Sequence, residues 1–147
     1  MATSFESILD TPLEDVERPM PLPQGLYRCV VEGIPRRDRS SVKGTPFIEF
    51  TLRPIEALGN VDQLDIDQAG GLNGKTFRHT FYYNEGDANS LWRLRDFLVD
   101  CGANSKSSVE DAINDVINAE VDVQITHEPS RDGKAVFAKV DRTIAAT

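Results

Sequence analysis

Lys75-Thr76-Phe77-Arg78-His79-Thr80-Phe81-Tyr82-Tyr83, followed a few residues later by Leu91-Trp92-Arg93-Leu94-Arg95-Asp96-Phe97-Leu98-Val99-Asp100-Cys101-Gly102, is the stretch whose reading decides the fold. Its first half repeats every second residue. Phe77, His79, Phe81 and Tyr83 share one parity, and Thr76, Arg78, Thr80 and Tyr82 share the other. That alternation describes a strand with one buried face. The second half changes period: Leu91, Leu94, Leu98 and Cys101 recur at helical spacing, and Trp92 and Phe97 widen the stripe. The spacing predicts a helix with Trp92 in the core. Asp87 or Asn89 can cap it, and Gly102 ends it.

Upstream, two more strands are legible. In Leu26-Tyr27-Arg28-Cys29-Val30-Val31-Glu32, Tyr27, Cys29 and Val31 alternate with Arg28 and Glu32. In Phe47-Ile48-Glu49-Phe50-Thr51-Leu52-Arg53, Ile48, Phe50 and Leu52 point one way, and Phe47, Glu49, Thr51 and Arg53 the other. Between them the residues from Pro35 to Gly44 read as a polar loop with four bases and one acid. Residues 56–74 read as a long acidic connection, a length usually associated with function or mobility. Downstream, Ser107-Ser108-Val109-Glu110 has a capping-box pattern and opens a second helix burying Val109, Ile113, Val116 and Ile117. Val121, Val123 and Ile125 mark a fourth strand and Ala135 to Val140 a fifth. The Asp132-Gly133 pair between them is a hairpin signal.

Three strands, two helices and two strands make a mainly β fold with a helical insertion, in the order of a five-stranded OB-like barrel. An SH3-like barrel would lack the insertion. A ferredoxin-like fold would need a helix after the first strand, where the chain is polar and broken by Pro and Gly. The chain divides into an extended acidic N-terminal arm over residues 1–24, stiffened by Pro19, Pro21 and Pro23, and a barrel domain over 25–147.

At 147 residues, with 39% hydrophobic and 27% charged residues, the composition is that of one globular domain with a real core. No apolar run approaches the ~20 residues a membrane helix needs. Acids Glu6 and Asp10 stand where a signal peptide would be basic and then apolar, so a cytosolic location is expected. Cys29 and Cys101 are expected to be buried thiols. No phosphate loop or dinucleotide turn occurs. His79 reads as half-buried and His127 as a surface residue, neither with the positioned partner a catalytic base needs. Asp62, Asp65 and Asp67 lack the calcium-loop register and read as a solvated loop. The expectation is therefore a protein that is not an enzyme and uses no cofactor or metal.

Net charge is -8, but it is unevenly spread. Residues 1–24 hold five acids and one base, residues 54–74 four acids and no base, and residues 25–53 six bases and three acids. Sequence-tolerant binding of single-stranded nucleic acid needs a cationic groove and aromatic platforms. In an OB barrel the groove crosses the second and third strands between two flanking loops. The outward residues expected there are Phe47, Thr51, Arg53, Arg78 and Tyr82. The first flanking loop offers Arg36, Arg37, Arg39 and Lys43, and the second offers Arg131 and Lys134.

The segments Gly25-Leu-Tyr-Arg-Cys-Val-Val-Glu32, Lys43-Gly-Thr-Pro-Phe-Ile-Glu-Phe-Thr-Leu52, Gly74-Lys-Thr-Phe77 and Leu91-Trp-Arg-Leu-Arg-Asp-Phe-Leu98 with Cys101-Gly102 resemble bacteriophage single-stranded DNA-binding proteins of the OB-fold type. The resemblance covers about residues 25–142. It implies coating of single-stranded DNA during phage DNA replication or recombination, in the cytoplasm of an infected bacterium and beside other phage replication proteins. Members often end in an acidic tail that recruits partners. This chain ends Asp141-Arg-Thr-Ile-Ala-Ala-Thr147, and its acidic segment is N-terminal instead, placed to support self-association along DNA. The alternative is a phage structural or adaptor protein, a small β-barrel binding other proteins through its acidic surface.

Overall fold

Alternating burial builds the sheet. In the computed structural model, which describes residues 9–15, 21–59, 61–131, 133 and 135–146, strand β1 (Gly25–Val31) turns Tyr27, Cys29 and Val31 fully inward. β2 (Arg36–Arg39) is a four-residue strand with every residue exposed, hairpinned onto β3 (Pro46–Leu58). The stretch expected as a loop between the first two strands is thus partly a sixth strand. Its polar composition hid a strand whose side chains need no burial. β3 buries Ile48, Phe50 and Leu52 as expected, but it does not stop at Arg53. Cys29 pairs with Pro54 and Arg28 with Glu56, so a bulge absorbs one residue beside the proline. A bulge is where a strand tolerates a residue without an N–H.

The acidic connection is not wholly irregular. It holds α1 (Gln63–Gln68), whose first turn is capped by the Asp62 carboxylate accepting from the Leu64 N–H at 2.9 Å. Ile66 is its one buried residue and anchors the segment to the core. β4 (Phe77–Tyr82) follows, then α2 (Ala88–Asp100) and α3 (Val109–Asp115). Asp87 and Ser108 cap the two helices. β5 (Glu120–Pro129) and β6 (Val136–Ala145) follow, β6 running well past Val140, where the fifth strand was expected to end.

All pairings are antiparallel, in the order β2-β3-β1-β5-β6, with β4 also on β3. β4 and β6 approach each other, but no ladder joins them among the described residues. The fold is a mainly β antiparallel sheet with a helical insertion between β4 and β5. Phe50 stacks on Phe97 of α2 with ring centres 4.7 Å apart, and His79 and Phe81 complete an aromatic cluster that fastens helix to sheet. Burial pushes the His79 imidazole down to about 4, so it is neutral near pH 7. Cys29 and Cys101 are both buried, and burial raises each thiol to about 12.

Several findings depart from the periodicity; Tyr83 and Val109, both read on buried faces, are exposed. Trp92 is 55% exposed, and Leu91 lies beside it at the surface, because α2 buries Ser90, Leu94, Phe97 and Leu98 instead. Leu22, inside the span read as an arm, is only 2% exposed. The Tyr27 hydroxyl donates to the Pro23 carbonyl, and the His127 ring nitrogen Nε2 lies 2.8 Å from the Leu22 carbonyl oxygen. Residues 21–24 are thus held against the sheet. No helix among the described residues is long and apolar enough to cross a membrane.

Candidate nucleic-acid interface

Strand register decides which side chains share the outer face. Phe47 lies opposite Tyr82, Glu49 opposite Thr80, and Thr51 opposite Arg78. On the other side of β3, Arg36 lies opposite Glu49 and Asp38 opposite Phe47. Direct cross-strand neighbours point the same way. The outer face therefore collects Arg36, Asp38, Phe47, Glu49, Thr51, Arg78, Thr80 and Tyr82. The Phe47 and Tyr82 rings meet with centres 5.5 Å apart and planes at 52°, and the Arg36 guanidinium lies 4.9 Å over the Phe47 ring. Tyr82 is 50% exposed. A paired aromatic surface open to solvent can take an unpaired base on its free face, a contact worth about 1–3 kcal/mol per base.

The charges are more constrained than their number suggests. Arg36 lies 3.4 Å from Asp38 and 3.6 Å from Glu49, and Arg53 lies 3.5 Å from Glu32. Glu49 also accepts a hydrogen bond from the Thr80 hydroxyl at 3.1 Å. Arg78 and Lys43 are exposed and make no ion pair among the described residues. Arg37 and Arg39 have the opposite strand parity. Arg37 reaches Glu110 of α3 at 2.8 Å, and Arg39 donates to the Gly44 carbonyl at 3.1 Å. Three of the four bases read as one cationic loop, Arg36, Arg37 and Arg39, are thus split between two faces, because a strand alternates its side chains. Arg131 is exposed in the β5–β6 turn, and Lys134 lies outside the described residues.

One aromatic residue was missed. Phe137, at the start of β6, is 49% exposed. It lines a cleft of about 330 Å³ with Leu22, Lys75, Phe77 and Arg78. An outward phenylalanine just after a turn carried a signal, but only the approach of β6 to β4 shows that it meets Arg78. The surface therefore runs from Tyr82 and Phe47, past Thr51, to Arg78, Lys75 and Phe137. β4 is six residues long, so its ends lie roughly 17 Å apart at about 3.4 Å per residue.

No family model and no curated protein matches this chain. A solved structure described as "Yeast RPA bound to ssDNA" aligns over 100% of this chain and 89% of its own, at 8% identity and a TM-score of 0.33. A likeness at that level sets neither fold nor function, and the strand pairing stands as the description of the fold.

Proposed function

We propose that this chain is a binding protein rather than an enzyme. In this reading its strands form an OB-like barrel and it coats single-stranded DNA without strong sequence preference during phage DNA replication or recombination, in the cytoplasm of an infected bacterium. The circular order of neighbours supports the barrel: β1 pairs with β3 and β5, β3 with β4, β5 with β6, and β6 lies beside β4. The observation that carries the function is the solvent-facing Phe47–Tyr82 pair with Arg36 over it, continued by Arg78 to Phe137. The rings supply stacking that any base satisfies, and Arg78, Lys75, Lys43 and Arg131 supply phosphate attraction. Among the described residues no helix stands on this face to enter a major groove, so in this reading single strands are preferred over duplex. A titration at fixed salt against single-stranded DNA, duplex DNA and RNA of equal length tests this. Equal or tighter binding of duplex refutes it.

A second reading, a structural or adaptor protein, draws on the acidic surface and on the ion pairs that hold Arg36, Arg37 and Arg53. Such a protein leaves a single-stranded DNA column early in a salt gradient, whereas a DNA binder is retained with a salt slope.

A further inference from the structure

Beyond the β2–β3 hairpin, α2 and α3 leave a second concave surface. A depression of about 590 Å³ lies between β4 and the two helices, lined by Leu94 and Ile113 among others. A second, of about 490 Å³, continues along α2 to Trp92. The two share Tyr83, Leu91 and Val109, so they form one groove. Tyr83, Leu91, Trp92 and Val109 are all exposed, and a contiguous apolar surface of this kind marks a place of contact.

The same chain carries a segment whose chemistry matches. Residues 5–17 contain Phe5, Ile8, Leu9, Leu13 and Val16 together with Glu6, Asp10, Glu14, Asp15 and Glu17, and no base. Leu9 is 65% exposed and Leu13 92%, and none of the described residues 9–15 lines the groove. The groove's charged groups are Arg37, Arg39 and Arg95 against Asp38, Asp87 and Glu110. Asp38 faces the other side of its strand, beside Arg36. The Arg37–Glu110 pair is exposed, so exchanging Glu110 for another carboxylate costs little. Among the described residues the Arg39 guanidinium meets the Gly44 carbonyl and no carboxylate, and Arg95 lies 4.4 Å over the Trp92 ring, paired to its own neighbour Asp96. Both guanidinium groups can meet incoming carboxylates.

Reach is sufficient. The chain is anchored at Leu22, beside the Phe77 end of β4, whereas the groove lies at the Tyr83 end. Leu13–Asp15 is a 3-10 turn, rising about 2.0 Å per residue, and the seven residue steps from Asp15 to Leu22 can span at most roughly 23 Å, so the upper bound on the reach from Leu22 to Leu13 is about 27 Å. We propose that the acidic, apolar N-terminal segment of one copy docks in the α2–α3 groove of a second copy. Donor and acceptor surfaces differ, so the contact is head-to-tail and propagates into an open row of subunits.

Trp92, the sole tryptophan, sits in the groove and reports its occupancy. The full chain is diluted without nucleic acid while emission and sedimentation are followed. The expected result is a blue shift of Trp92 emission that grows with concentration, in step with mass. The double variant Leu9→Asp, Leu13→Asp loses both at unchanged melting temperature, since both leucines are exposed. Leu91→Asp, at the groove, loses them too. Mixing the two variants restores one intact contact and yields a dimer that grows no further. A blue shift that depends on the arm but not on concentration shows the segment folding back on its own chain and overturns the proposal. So does assembly that survives the arm variant, or no assembly at all. No nucleic acid is present, so these outcomes are independent of the DNA-binding reading.

Discussion

Replacing Tyr82 by Ala separates a stacking platform from a packing residue. Tyr82 is half exposed, and its ring contact is with Phe47 across the β3–β4 ladder. What the fold loses is one aromatic pair at the surface, worth about 0.5–1.5 kcal/mol beyond its buried area. For a domain of this size that lowers Tm by roughly 1–6 °C, at about 2–4 °C per kcal/mol. A buried aromatic would cost about 3–5 kcal/mol. If a base stacks on the outer face of this ring, binding falls by about 1–3 kcal/mol, or roughly 5- to 150-fold in Kd. The assay is fluorescence anisotropy of a labelled oligothymidylate at fixed salt, beside thermal melts of both proteins. A small shift in Tm with a large loss of affinity is expected. Unchanged affinity would refute the reasoning, because Tyr82 is the most open aromatic of the pair. A large fall in Tm would show that the ring belongs to the core.

Other expectations follow from the same geometry. Arg78→Ala and Lys75→Ala should each reduce the salt slope of single-strand binding by about 0.7, whereas Arg37→Ala and Arg39→Ala, on the opposite parity, should leave it unchanged; salt titrations of the four variants check this. His79 is held neutral in the fold with its pKa lowered to about 4, so the unfolded chain binds the extra proton between about 4 and 6.5. Its contribution is complete above that window and is lost as pH falls through it, by up to roughly 3 kcal/mol; denaturant melts from pH 7 to 4 should show a shallower decline for His79→Gln. Removing residues 1–20 should leave the domain's melting temperature nearly unchanged, whereas removal through Gln24 strips the buried Leu22 and the Tyr27 hydroxyl's acceptor and should cost at least the roughly 2–5 kcal/mol of a core leucine.

The sequence alone was sufficient for whatever follows from strict periodicity and local chemistry. Tyr27, Cys29 and Val31, then Ile48, Phe50 and Leu52, then Val121, Val123 and Ile125 were legible as inward rows, and all nine are buried. A period of two with apolar residues on one parity has few other solutions in water. The two helix starts were legible to within a residue or two because a cap acts within three residues: of Asp87 and Asn89 it is Asp87 that caps, and Ser108, one residue after the start of the Ser107–Glu110 pattern, caps the other helix. Decisions that depend on a neighbouring element were not legible. The second strand was read only as far as Arg53, and pairing with β1 carries it on past Pro54 through a bulge. Trp92 looked like core, and the packing of Phe97 against Phe50 and His79 rotated α2 so that Trp92 faces solvent. Arg36, Arg37 and Arg39 looked like one basic loop, and pairing with β3 divided them between two faces. Phe137 became part of the candidate surface only because β6 lies beside β4. Periodicity states that a side chain is inward or outward relative to its own element. What lies opposite it, and so which outward residues together make a surface, is set by register and helix rotation, which arise only when distant segments pack.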